Sequence, residues 1–193
     1  MYFLEGSSNS LMRLVNFRYE EIKKAVARLF QTLFQEHGVN CVPISGFEIA
    51  CRLGIKVRPY SAYPIMERCL LIKMSEEGFF IRSENVIYYN DLRPYPRINF
   101  TILHEIGHYV LGHLEESSVA KMEADFFAAY ALAPPVLIHK LGITNYQELS
   151  TVFGLSIEAA NNAYNRYTKW LRYGGRFYTD YEISLCKNFG IAV

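Results

Sequence analysis

The segment His104-Glu-Ile-Gly-His108 lies inside an apolar stretch, Phe100 to Leu114, that contains no proline and has the spacing of a buried helix. On a helix, residues four apart stack on one face, so His104 and His108 aim their imidazoles at a common centre, at a separation that suits two nitrogens binding one zinc ion. Glu105 lies about 100° further round the helix, where it can hold a water against such an ion without becoming a ligand. Gly107 leaves room between the histidines for a neighbouring element. This is the layout of a metal hydrolase, with Zn2+ as its expected cofactor. A helix that carries two histidines only for packing is the plainer alternative.

A chain of 193 residues can bury one sizeable core, or a small catalytic domain with a helical appendage. Its 51% hydrophobic and 15% aromatic content describes a globular protein. The formal charge of +1 gives no overall attraction to nucleic acid or to an anionic membrane. The longest apolar run, Phe126 to Ile138, is too short to span a bilayer and is interrupted by Pro134 and Pro135. Glu5 comes almost at once and no small-residue cleavage site follows, so no signal peptide is expected and the protein reads as cytoplasmic. Cys41, Cys51, Cys69 and Cys186 form no CxxC pair, which argues against a thiolate zinc site and for buried, reduced thiols.

Along the chain, Ile22, Ala25, Val26, Leu29, Phe30, Leu33 and Phe34 recur at helical steps and predict an amphipathic helix ending near Gly38. A shorter helix after Pro43 stops at Gly54 and buries Phe47, Ala50, Cys51 and Leu53. Ile55 and Val57, then Cys69 to Met74, Phe79 to Arg82 and Val86 to Tyr89, are short β-favouring runs parted by turn residues, which predicts a small, mainly antiparallel sheet. Pro96 suits the first turn of the motif helix and Gly112 its end. A helix from Ser118 to Ala133 stops at Pro134. Thr144 and Gln147 read as a capping box for a helix up to Gly154, and Ser156 caps a long last helix. The fold expected is α+β and mostly helical: a small sheet packed on the HExxH helix, in the manner of a zincin, with a helical C-terminal tail.

A catalytic zinc usually has three protein ligands and an open fourth position. His113 follows Gly112 and comes five residues after His108, which misses the spacing of zinc proteases with a third histidine, and in continuous helix it points away from the pair. A carboxylate from the next helix is the other option, as in His2Glu sites.

That helix reads Lys-Met-Glu-Ala-Asp-Phe-Phe-Ala-Ala-Tyr-Ala-Leu-Ala-Pro over residues 121–134. Together with His-Glu-Ile-Gly-His it resembles the ImmA/IrrE family of metallopeptidases, whose members show HExxH followed by a Glu-x-Glu-Ala-Asn/Asp-x-Phe-Ala stretch closed by a proline. The likeness extends to Leu53-Gly54-Ile55 before a strand, to Ile87 to Asn90, and to Val152-Phe-Gly-Leu-Ser-Ile-Glu-Ala-Ala, covering most of the chain from about Ala25 to Tyr173. One departure stands out. Lys121 occupies the place of the first glutamate, and it shares a helical face with Asp125 four residues on. Glu123 is then the leading candidate for the third metal ligand. Asp125 is a second candidate, or an acceptor that orients a zinc histidine, and Glu115 or Glu116 is a third.

The resemblance implies a single zinc-metallopeptidase domain over 1–193, made of a helical part (1–54), the sheet with the catalytic helices (55–142) and a helical tail (143–193). It implies an endopeptidase that cuts a protein substrate, a helix-turn-helix repressor of a prophage or mobile element, with Glu105 as general base. The alternative is a metal-depleted regulatory or protein-binding module of the same fold. The tail helices joined at Gly154-Leu-Ser loosely match a helix-turn-helix, with Arg166, Lys169, Arg172 and Arg176 in or after the second. The tail is not strongly basic, so direct DNA binding is not expected.

Overall fold

The computed structural model describes residues 18–33, 41–115, 117–174 and 177–193. Helix α1 (18–33) buries Ile22, Val26 and Phe30 at four-residue steps, with Ala25, Leu29 and Leu33 beside them. Its expected end near Gly38 lies outside the described residues. Helix α2 (Gly46–Arg52) follows Ser45, whose side chain accepts from Glu48 N, and buries Ile49 and Ala50. Strands β1 (Lys56–Pro59), β2 (Gly78–Ile81) and β3 (Val86–Tyr89) form one sheet in the order β1-β3-β2.

The sheet is mixed, not mainly antiparallel: β2 runs against β3, but β1 lies parallel to it. A parallel pair needs a crossover connection, and the segment expected as a strand at Cys69 to Met74 forms part of it, as helix α3 (Ile65–Met74). Glu67 in its first turn and Lys73 in its last complement the helix dipole, and Leu70, Leu71 and Met74 are strong helix formers. A short apolar run gives no periodicity that separates helix from strand. The structure places this one on the outside, where it buries none of its residues fully; only Leu71 and Ile72 pack against the Tyr60, Val86 and Tyr88 cluster.

Helix α4 (Tyr95–Val110) carries the motif and packs against α2, β2, β3 and α5 (Ser118–Leu132). Two further short helices, α6 (Pro135–Lys140) and α9 (Asp180–Asn188), escape the sequence reading; α7 (Tyr146–Phe153) and α8 (Ile157–Tyr173) match it. The cap of α7 is displaced by one residue. Asn145 accepts from Glu148 N, and the Glu148 carboxylate reaches back to Thr144. The architecture is α+β and mostly helical, and no helix among the described residues is long and apolar enough to cross a membrane.

Candidate metal centre

Helix α4 is fixed from both sides. Asn99 is buried, and its amide accepts from Gly46 N at 2.6 Å while donating to Ile44 O at 2.8 Å, which pins the start of α2 to α4. Ile102, Leu103 and Ile106 are fully buried. On the next helix, a Cβ at Gly107 would meet the Phe127 ring at 3.1 Å and the Ala124 backbone at 3.3 Å. The glycine therefore sets how closely α4 and α5 approach. Gly78 does the same for the sheet, since a Cβ there would lie 2.7 Å from Tyr88 O and 2.8 Å from Thr101 Cγ2. Edge strand β2 is thus laid beside the motif, and a cleft of about 650 Å³ opens between them, lined by Phe80, His104, Glu105, His108, His113 and Lys121 among others.

In the cleft the two motif histidines converge, with His104 Nε2 and His108 Nε2 3.1 Å apart. Their other nitrogens are engaged elsewhere. Asp125 Oδ1 lies 2.8 Å from the buried His104 Nδ1, and beside this carboxylate the neutral ring carries its proton on Nδ1. His108 Nδ1 lies 3.0 Å from His113 Nδ1, and His113 Nε2 lies 3.0 Å from Glu123 Oε2. With both rings neutral, the Glu123 carboxylate takes the Nε2 proton of His113, whose Nδ1 then accepts from His108 Nδ1. Each motif histidine is therefore left with a lone pair on Nε2, and the two lone pairs face each other. Burial, helped by the nearby His104 and His113, pushes His108 down to about 4, and burial lowers His104 too against the pull of Asp125. Two neutral acceptors at this distance suit a shared cation.

His113 does not point away, as continuous helix would require. Helix α4 ends one residue earlier, at the Leu111 cap, and Gly112 takes φ +72°. His113 N bonds to His108 O at 3.0 Å and Gly112 N to Tyr109 O at 3.3 Å. This pair of bonds is a Schellman motif, which folds the residue after the glycine back over the last turn. The Gly112-His113 pair was a legible signal for it. Arg82 holds the corner to the hairpin by donating to His113 O.

Glu123, the leading candidate for third ligand, has other partners. It is buried, and Arg18 from α1 grips both its oxygens, Nε to Oε1 at 2.6 Å and Nη2 to Oε2 at 2.8 Å. Burial works to raise its carboxyl, but the hydrogen bonds from Arg18 and His113 outweigh this and hold it below the usual range. Its contacts reach His108 from the Nδ1 side, through His113, and not from the Nε2 side where the histidines meet. Asp125, about half exposed at 48%, acts on His104 as the orienting acceptor that a metal-binding histidine commonly has. Lys121, one turn before it, lines the cleft. Glu115 lines it too, and Glu116 lies outside the described residues. No group of three His, Cys, Asp or Glu that could hold a metal occurs among the described residues. Among the described residues, His104 and His108 are thus the pair placed to hold a cation, and the two acids of α5 have other partners.

Other expectations fare unevenly. Tyr130 is buried in the core and Tyr109 sits at the rim. Cys186 is buried, but Cys41, Cys51 and Cys69 are exposed thiols, so three of the four fail the buried reading. Cys51 falls on the outer side of α2, whose inward positions are Ile49 and Ala50. In the tail, Arg166 points inward and donates to Ala129 O, which withdraws it from any nucleic-acid face. Arg176 lies outside the described residues.

A helix with two convergent imidazoles, set beside the edge of a small sheet and backed by a second helix with an acid at the first imidazole, is an arrangement of metallopeptidase type. Residues 51–165 match the IrrE N-terminal-like domain of peptidase family M78. That is more than half of the chain, and the chain belongs to the ImmA/IrrE family. No curated protein matches it. Helix α1, which supplies Arg18, lies outside the matched region.

Proposed function

We propose that the protein is a zinc-dependent endopeptidase whose reacting groups are His104, His108 and Glu105. The observation that supports this reading best is the facing pair of Nε2 atoms 3.1 Å apart, each ring having a partner at its own Nδ1. Zinc bound there would act as a Lewis acid on the scissile carbonyl and bring the pKa of water to about 7. Glu105 lines the same cleft and, as general base, takes the proton of the attacking water and delivers it to the departing amine. Such a group contributes roughly 10²- to 10⁴-fold in rate.

Strand β2 is an edge of the sheet and lines the cleft through Gly78, Phe79 and Phe80. Its free side suits an extended peptide added as a further strand beside Glu105. The resemblance implies a helix-turn-helix repressor as that substrate. Incubating wild type and Glu105→Gln with a helix-turn-helix repressor of the same mobile element, zinc supplied, tests both steps. Cleavage by wild type alone, at equal zinc content, is expected. A repressor left intact by wild type, or cut equally by Glu105→Gln, refutes the reading. One observation favours a second reading, a binding module with a vestigial centre: Lys121 lines the cleft where a third donor would be useful.

A further inference from the structure

We propose that Lys121 stands in the position of a third metal donor, so that the centre holds its cation through His104 and His108 alone and exchanges it readily. This rests on the metallopeptidase reading above. Its starting point is the register between α4 and α5. Gly107 lies against Ala124 and Phe127, and Asp125 reaches the Nδ1 edge of His104. Residue 121 is one turn earlier on the same face of α5, roughly 6 Å along the axis. From there its side chain enters the cleft shared by His104, Glu105 and His108.

The acids of this helix are committed elsewhere. Asp125 is engaged with His104 Nδ1, and Glu123 with Arg18 and His113. A protonated lysine has three donors and no lone pair, so it supplies no bond to a cation and adds a like charge beside it. A carboxylate in that position would do the reverse on both counts. Catalytic zinc sites with three protein ligands keep one position open; this one has two ligands and a repelling neighbour. Metal occupancy, and with it activity, then follows the free metal concentration instead of being permanent. Lys121 is exposed, so its exchange leaves the core intact.

The test is a Co2+ titration of the full chain, read by visible absorption, with Zn2+ as competitor, for wild type, Lys121→Ala, Lys121→Glu and His108→Ala. Expected is binding by Lys121→Glu at least 100-fold tighter than wild type, with the intense bands of a four-coordinate ion. Lys121→Ala should gain less than Lys121→Glu, and His108→Ala should lose binding. Wild type that binds as tightly as Lys121→Glu, with His108 still required, overturns the proposal and leaves the metallopeptidase reading standing. Absence of His108-dependent binding in both wild type and Lys121→Glu removes that reading, and the proposal with it. A Glu115→Gln/Glu116→Gln variant that weakens wild-type binding tenfold would make one of these two acids a third donor and also overturn the proposal.

Discussion

His104 and His108 are one turn apart on the same helix, yet they are oriented by different means. His104 relies on one partner, the half-exposed carboxylate of Asp125 on α5. His108 relies on a chain: His113 in the Schellman turn, then buried Glu123 on α5, then Arg18 at the start of α1. The first arrangement depends only on the α4–α5 contact. The second couples the ring to the docking of the N-terminal helix, some hundred residues away in sequence. Two histidines with the same assigned task can thus differ in how far a disturbance must travel to reach them.

The largest expected effect spares both wings and so serves as the reference. Glu105→Gln should cut turnover by about 10²- to 10⁴-fold while melting temperature and metal content stay at wild-type values; a parallel loss of metal would show that Glu105 helps to hold the centre. Next comes the short wing. Asp125→Ala should weaken metal binding by about 10- to 100-fold with little change in melting temperature, because the side chain it removes is half exposed. Equal binding in chelator competition would show that His104 needs no orienting partner.

On the long wing the balance should invert, with stability responding and metal affinity falling less. Arg18→Ala leaves Glu123 buried with His113 as its remaining partner among the described residues, and a loss of about 1 kcal/mol is expected from denaturant unfolding; Arg18 is more than half exposed, which keeps the figure near that of a surface pair. No change would show that α1 does not couple to the centre. The smallest effect is one of pH. The Glu123 carboxyl is held below its ordinary value of 4.5, so the unfolded chain binds its proton first as pH falls. Its contribution to stability is complete above that value and is lost as pH drops toward the lower folded one. Arg18→Ala should flatten this part of a melting-temperature profile, and an unaltered acid limb would place the proton elsewhere.

Much of the site was legible before any fold was known. The spacing of His104, Glu105 and His108, the limits of α4 and α5, the close approach at Gly107 and the second role weighed for Asp125, as orienting acceptor of a histidine, follow from helix periodicity and the chemistry of the side chains. Helix periodicity alone carries α4 through Gly112 and aims His113 away, whereas the backbone there turns left-handed. The sequence shows that α5 carries a carboxylate at Glu123, not that Arg18 and His113 are its neighbours. The segment at Cys69 to Met74 misled for a related reason: its apolar content fits a strand or a helix, and only the parallel pairing of β1 with β3 demands a crossover there.

By itself the sequence determined the α+β, mostly helical fold and the facing histidines, since both rest on local rules of spacing and propensity within single elements. The tertiary structure alone decided how the acids are distributed: Asp125 to His104, Glu123 to His113 and Arg18, and Lys121 to the cleft. That distribution depends on the rotation and register of α5 against α4 and on the docking of α1. Those are set by packing between elements distant in the chain, which no local pattern records.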